Sequence, residues 1–385
     1  MNAILFDDDT RDNFLPLTAT KALSDLRLGI FTLREKWERY FHLPFAVRTS
    51  DYLQEKYAPA QEGFYLAVNS SVLPTAALRE KIKALLPEQG LRCGDCIVAF
   101  KSKQAIDNVL NCEILIDFME LETVERIEHL WDLFLKNAAQ INSDVAVLYC
   151  KKANALQLAS CFVYGGDAVY FGEGVQAQGV FFNCTDGPVV IDDGAVLMEG
   201  AMLRGPVYIG KDSTVKMGAK IYGGTSIGAK CTVGGEIKNS IFNDCSNKGH
   251  DGYMGNSVLG SFCNLGADTN ASNMKNTLGE IMVWNMNFSE MQGSTQNFCG
   301  VFMGDYCRTA ISTRLTCGTV IGVACHIFEH GAVPVFLPSF SYGLNAQMKM
   351  DHLHHANSRF AALKGEKYSA AEKNILNHLF ESKTA

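Results

Sequence analysis

No stretch of the 385 residues stays apolar for long enough to span a bilayer, so membrane insertion is not expected. Positive charge is not in excess. The 34 Lys and Arg against 41 Asp and Glu give a net charge of −7, which argues against a nucleic-acid surface. The opening Met1-Asn-Ala-Ile-Leu-Phe-Asp7-Asp8-Asp9 has no basic region ahead of its apolar residues. A signal peptide is therefore not expected, and the segment reads as a short buried strand ending in polar residues. Cys93-Gly-Asp-Cys96 has no second Cys-x-x-Cys to complete a metal site. The thirteen cysteines are odd in number, and Cys184, Cys231, Cys245, Cys263, Cys317 and Cys325 occupy small-residue positions. Reduced thiols in a cytoplasmic protein are the expectation.

What is present is a period of six. Ile191, Leu197, Leu203, Ile209, Val215, Ile221, Ile227 and Val233 follow one another at that interval. The frame breaks, resumes at Leu259 and Leu265, and returns with Met303, Leu315, Ile321, Ile327 and Val333. Helices repeat every 3.6 residues and strands every 2, whereas a hexapeptide β-helix sends one aliphatic residue inward from each side of a triangular coil. Glycines after the inward aliphatics, such as Gly260 and Gly266, fit corners where a side chain would clash.

The length predicts two domains, and the pattern divides the chain at 1–154, 155–343 and a helical tail over 344–385. In the first part Ala3–Phe6, Phe64–Val68 and Ile97–Phe100 read as strands. Thr20–Tyr40, Ala76–Leu86 and Val124–Gln140 read as helices, an alternation that predicts an α/β domain with a largely parallel sheet. Residues 270–300 interrupt the solenoid and are expected as a projecting loop or irregular coil beside a groove. Ser369-Ala-Ala-Glu372 is a capping box that opens a final helix, expected to cover the solenoid's open end. His352, His354 and His355 read as solvated residues.

Chemistry concentrates where the aliphatic frame lapses. Glu236, Lys238, Asn247, Lys248, His250, Asp251, Tyr253 and Asn264 crowd into less than two coils of about eighteen residues. Glu236, Lys238, His250 and Asn264 are thereby expected near one ledge. Such a polar group costs stability unless it is solvated or used.

The run Ser246-Asn-Lys-Gly-His250-Asp-Gly-Tyr253-Met-Gly, then Val258-Leu-Gly and Asn264-Leu-Gly-Ala267, resembles a known acetyltransferase domain. It is that of the bifunctional N-acetylglucosamine-1-phosphate uridylyltransferase/glucosamine-1-phosphate acetyltransferase family. The whole chain is similar to an alternative form of that family with a shortened N-terminal domain. Gly218-Ala-Lys-Ile-Tyr-Gly, Gly255-Asn-Ser-Val-Leu-Gly and Pro338-Ser-Phe-Ser-Tyr-Gly extend the match. The resemblance implies a nucleotidyltransferase-like α/β domain followed by a left-handed parallel β-helix, a homotrimer, and acetyl-CoA as co-substrate in a groove between prisms. It implies His250 as catalytic base, with Lys220, Glu236, Lys238, Tyr253, Asn264 and Asn273 binding an amino-sugar 1-phosphate. Histidine suits that role because it titrates near neutral pH, and either Glu236 or Asp251 can orient it. The family's Gly-Ala-Gly is Gly266-Ala-Asp268 here, and its Asn-Tyr-Asp-Gly is Asn273-Met-Lys-Asn.

The first domain keeps Thr10-Arg11, Leu15-Pro-Leu-Thr18 and Lys21, which the resemblance reads as nucleotide-binding through Arg11 and Lys21. It lacks the glycines that admit a triphosphate, and Asn69-Ser-Ser71 stands where the magnesium ligand belongs. Asp7, Asp8 and Asp9 are either Mg²⁺ ligands in its place or a solvated strand cap. Three functions stay open: acetyl transfer to an amino-sugar phosphate, sugar-1-phosphate nucleotidyl transfer from UTP or dTTP, and a non-catalytic sugar-nucleotide-binding scaffold.

Overall fold

The computed structural model describes residues 2–58, 65–103, 116–148, 158–328, 331 and 333–382. Contacts divide the chain into two compact units. One comprises residues 1–14, 20–26 and 31–129, the other 15–19, 27–30 and 130–385. The expected boundary at 154/155 lies outside the described residues, and the helix before it packs within the second unit.

The first unit is a six-stranded mixed sheet ordered 46–48, 2–6, 65–69, 96–102, 89–93, 117–120. Asn2–Phe6 runs parallel to both its neighbours, but Cys96–Ser102 is antiparallel to Tyr65–Asn69 and to Gln89–Cys93. The expected largely parallel sheet is therefore corrected. The cause is Cys93-Gly-Asp-Cys96, which is the tight turn of a hairpin with Gly94 at φ 56°, and a two-residue hairpin can only join antiparallel strands. Both thiols are free. Helix α1 spans Leu33–Phe41 and α2 spans Ala76–Ala84. The helix expected from Thr20 begins only at Leu33, because Thr32 and Glu35 form a reciprocal capping box there. Upstream lie a single 3₁₀ turn at Leu23–Asp25 and two-residue strands.

The second unit is the expected left-handed parallel β-helix of about 10 turns. Its first face runs from Phe162–Tyr164 to Arg314–Leu315, its second from Val169–Phe171 to Phe336–Leu337, and its third from Gln176–Ala177 to Ser341–Tyr342. Inward residues stack by register, as Ile191, Ile209 and Ile227 do on the second face. They form one continuous apolar core. A Cβ on Gly266 would lie 2.5 Å from the carbonyl carbon of Ala310 in the next coil, which explains glycine at that corner. At another corner Ser213, Cys231, Ser246, Cys263, Cys307 and Cys325 form a column. Each hydroxyl or thiol donates to a carbonyl of the following coil. The cysteines of this column are thus small buried side chains with a weak donor to place.

The solenoid does not stop where the aliphatic frame lapses. Ile237, Phe242, Met254 and Leu259 continue the inward columns. The corners are shorter, so Lys220 pairs with Glu236 sixteen residues on, and Glu236 with Tyr253 seventeen on. Two residues of the third face's inward column are polar: Lys248 stacks on Val233 and is 1% exposed, and Thr309 stands between Leu265 and Ile327.

The second face is covered. Helix α3, Leu130–Leu148, lies on it, with Asn137 Nδ2 donating to Gly224 O (2.7 Å) and Ser226 Oγ (3.0 Å), and Phe134 stacked on Phe302. The expected helix over 124–140 begins six residues later. Residues 270–300 include a hairpin, Met282–Asn285 with Glu290–Gly293, whose Trp284 stacks on Phe336. Helices α4 (Met350–Leu363) and α5 (Ala370–Ser382) follow. The Ser369–Glu372 capping box is present. The helices do not simply cap the open end. Lys364 reaches Lys230 O and Asn247, Arg308 meets Asn357, and Tyr306 donates to Glu372, so they lie along the third face; Phe380 meets the last coil at Phe340. His354 binds Tyr368 and Asn377 and so clasps the two helices, which places it in a structural role. Among the described residues no helix lies along the first face.

Candidate functional site

Strand register builds the site on the uncovered first face. Two outward columns run along it, one carrying Met202, Lys220, Glu236 and Tyr253, the other Arg204, Tyr222, Lys238 and Gly255. Neighbouring strands lie about 4.8 Å apart, so Lys220, Glu236 and Tyr253 span roughly 10 Å. The side chains of Lys220, Glu236, Lys238 and His250 make no hydrogen bond or ion pair among the described residues.

Gly255 decides how Tyr253 lies. A Cβ at position 255 would overlap Tyr253 Oη and sit 2.7 Å from Asn273 Nδ2. The ring therefore folds over the bare backbone and meets Asn273, whose amide also donates to Asn256 Oδ1 at 2.7 Å. Burial, then the Glu236 charge, push the phenol's pKa up against that opposing hydrogen bond. Tyr253 stays protonated at neutral pH and can offer its O–H to a ligand.

His250 is exposed on the turn that leaves the third face and enters the first. Neither Glu236 nor Asp251 is hydrogen-bonded to its ring. Beneath the turn, buried Lys248 donates through Nζ to His250 O (2.8 Å) and Gly234 O (3.3 Å), fixing the backbone that carries the imidazole. Burial lowers the Lys248 pKa to about 8, with Asp251 and Asp268 opposing.

The structure thus brings Lys220, Glu236, Lys238, Tyr253 and Asn273 to one face, with His250 at its edge. It does not bring Asn264 there. Asn264 lies on the third face, where its Oδ1 accepts from Asn247, itself held by Lys364 of the C-terminal segment. Counting fourteen residues from His250 locates the coil but not the side of the prism. Gly255 and Asn256 were not legible as site residues, and Lys248, counted in the polar cluster, was not legible as inward-facing. The signal for that was its place six residues after inward Phe242.

In the first unit, Asp7 buries its carboxylate beside Thr49 Oγ1 (2.7 Å) and Leu23 N (3.1 Å), near Arg11 Nε at 3.7 Å. Burial raises its pKa despite these partners. Arg11 is held by Asp12 (2.7 Å) and Tyr52 Oη (2.9 Å), and Lys21 is buried. Asp8 accepts from Thr10 N and from Asn69 Nδ2 (2.7 Å), while Asp9 is exposed. Asn69 is fully buried, its amide also donating to Ile97 O. Among the described residues no group of three His, Cys, Asp or Glu stands together as a metal cluster. Mg²⁺ is commonly held by one or two carboxylates together with substrate phosphates, which needs no such cluster.

Residues 3–152 match the family model for sugar nucleotidyl transferases. That match covers nearly all of the first unit and the whole of α3, and comparison with curated proteins returns no match. This match, with the parallel β-helix that follows it, is consistent with a transferase and suggests nucleotide-sugar biosynthesis. No helix among the described residues is long and apolar enough to cross a membrane.

Proposed function

We propose that the β-helix catalyses acetyl transfer from acetyl-CoA to the amine of an amino-sugar phosphate. The observation that carries this reading is the outward column Lys220–Glu236–Tyr253, with His250 at its edge and Asn273 against Tyr253. A cation, a carboxylate and a phenol in line match a phosphate and the hydroxyls of a sugar. His250 takes the ammonium proton as the nitrogen attacks the thioester carbonyl. The N–C bond forms, the C–S bond breaks, coenzyme A leaves as its thiolate, and the second proton that the nitrogen loses passes to that thiolate. Lys220 and Lys238 hold the phosphate, while Glu236, Tyr253 and Asn273 orient the ring. A homotrimer with acetyl-CoA in the groove between prisms belongs to this reading, and light scattering of the intact protein measures it.

The test is thiol release from acetyl-CoA with glucosamine 1-phosphate and related amino-sugar phosphates. Glu236→Gln and Tyr253→Phe are expected to raise the acceptor KM, by about tenfold each for the loss of one good hydrogen bond. Acceptor KM values unchanged in both variants would remove these residues from the site.

The match over 3–152 favours a second reading, sugar-1-phosphate nucleotidyl transfer with UTP or dTTP, in which the β-helix assembles the oligomer. Pyrophosphate release from either nucleotide with a sugar 1-phosphate tests it, and Arg11→Ala should abolish that release.

A further inference from the structure

The first face continues past Lys220 toward the start of the solenoid as a shallow cavity of about 340 Å³. Its rim is formed by Tyr164, Phe181, Met202, Arg204, Lys220 and Tyr222. This is a small-molecule volume, mostly apolar with a few polar groups at one side. Three of its large side chains are offered to solvent, Tyr164 at 55%, Met202 at 47% and Tyr222 at 38%. Phe181 is braced from behind by Phe162, ring centroids 4.6 Å apart. Arg204 is fixed by Asp186 at 2.7 Å, leaving its remaining N–H groups available, and Lys220 carries no ion pair.

The order along the face matters. From Tyr253 the first outward column passes Glu236, Lys220, Met202 and Phe181. At about 4.8 Å per strand, the cations stand roughly 10–14 Å from Tyr253, Phe181 about 19 Å and Tyr164 about 24 Å. On the first column a sugar site and a cation are followed by Met202 and Phe181; on the second, Tyr222 stands level with Lys220, Arg204 lies one strand beyond it and Tyr164 three. We propose that the acceptor is a nucleoside diphosphate-linked amino sugar. Its base lies among Tyr164, Phe181 and Tyr222, its diphosphate lies at Lys220 and Arg204, and its amino sugar lies at Glu236 and Tyr253. This rests on the acetyl-transfer reading and names its substrate class. Coenzyme A fits the same order poorly, because its long pantetheine arm separates diphosphate from thioester by more than the two strands available.

The experiment compares acceptors in the thiol-release assay with the full-length protein. Glucosamine 1-phosphate is set against the uridine, thymidine and guanosine diphosphate forms of glucosamine. At least one nucleotide-linked form should show a KM lower by about tenfold or more, the worth of roughly one aromatic stack. Tyr222→Ala should erase that advantage while leaving the KM for glucosamine 1-phosphate unchanged. Equal KM values for all acceptors, or equal effects of Tyr222→Ala on all of them, would overturn the proposal. So would a changed oligomeric mass in Tyr222→Ala with unaltered KM values, which would make the patch a contact between copies. If no acceptor is acetylated, the acetyl-transfer reading fails by itself. Calorimetric binding of uridine, thymidine and guanosine diphosphates to the wild type and Tyr222→Ala then decides the cavity. Binding lost in the variant supports a nucleotide site, and binding equal in both or absent from both refutes it.

Discussion

Gly255 and Lys248 show how single positions set this site. At Gly255 a methyl group would displace both Tyr253 and Asn273. Gly255→Ala should therefore lower kcat/KM for the acceptor by about tenfold to a hundredfold through misplacement alone, with little change in melting temperature. A variant of normal activity would mean that the position of the Tyr253 ring does not matter. Lys248 puts an ammonium where the column has Val233 and Leu265. Its folded pKa of about 8 lies below the usual lysine value because of burial, then partly restored by Asp251 and Asp268. Below pH 8 both folded and unfolded chains carry the charge, and the fold bears the full cost of burying it. From pH 8 to about 10.5 the unfolded chain holds more protons, so stability rises with pH in that window. Urea unfolding of the wild type should gain on Lys248→Met as pH rises from 8 toward 10; a constant difference would show that Lys248 titrates normally.

Among the elements, the packing of α4 on the third face depends on Arg308. It donates to Asn357 Oδ1 at 3.2 Å and to His326 Nε2 at 3.1 Å. Because a guanidinium only donates, His326 accepts through Nε2 and is neutral, with its proton on Nδ1. Burial first and the Arg308 charge second push its pKa down to about 4. The unfolded chain takes up this proton as pH falls through 6.5, and the fold resists until about 4, so stability is lost across that window. His326→Gln keeps an acceptor for Arg308 without the titration. Its melting temperature should fall less between pH 6.5 and 4 than that of the wild type; parallel curves would exclude His326 as an acid-sensitive group. The period-six pattern made the inward columns legible because each face of a coil contributes one aliphatic side chain. It misread 234–258 as a gap, since shorter corners shift the count while Ile237, Phe242 and Met254 still point inward. The same loss of count left Asn264 on the wrong ledge. The hairpin at Cys93–Cys96 was hidden for another reason: the pair of cysteines was weighed only as an incomplete metal site, and its Gly-Asp was not weighed as a turn.

For the whole molecule, composition and repeat were enough to foresee an α/β domain joined to a β-helix, and the family match over 3–152 agrees with the first part. What sequence could not supply was which face stays open. The second face is occupied by α3 and the third by α4 and α5, and both coverings come from segments distant in sequence. The uncovered first face then holds the polar column and the aromatic cavity together. The account stands or falls on His250 acting as the base for acetyl transfer at that face. The direct measurement is acetyl transfer to amino-sugar acceptors by wild type and His250→Ala, with circular dichroism to establish that both are folded. The prediction is turnover by the wild type and a loss of about a hundredfold to ten-thousandfold in kcat for the variant. Undiminished turnover by a folded His250→Ala protein would contradict it.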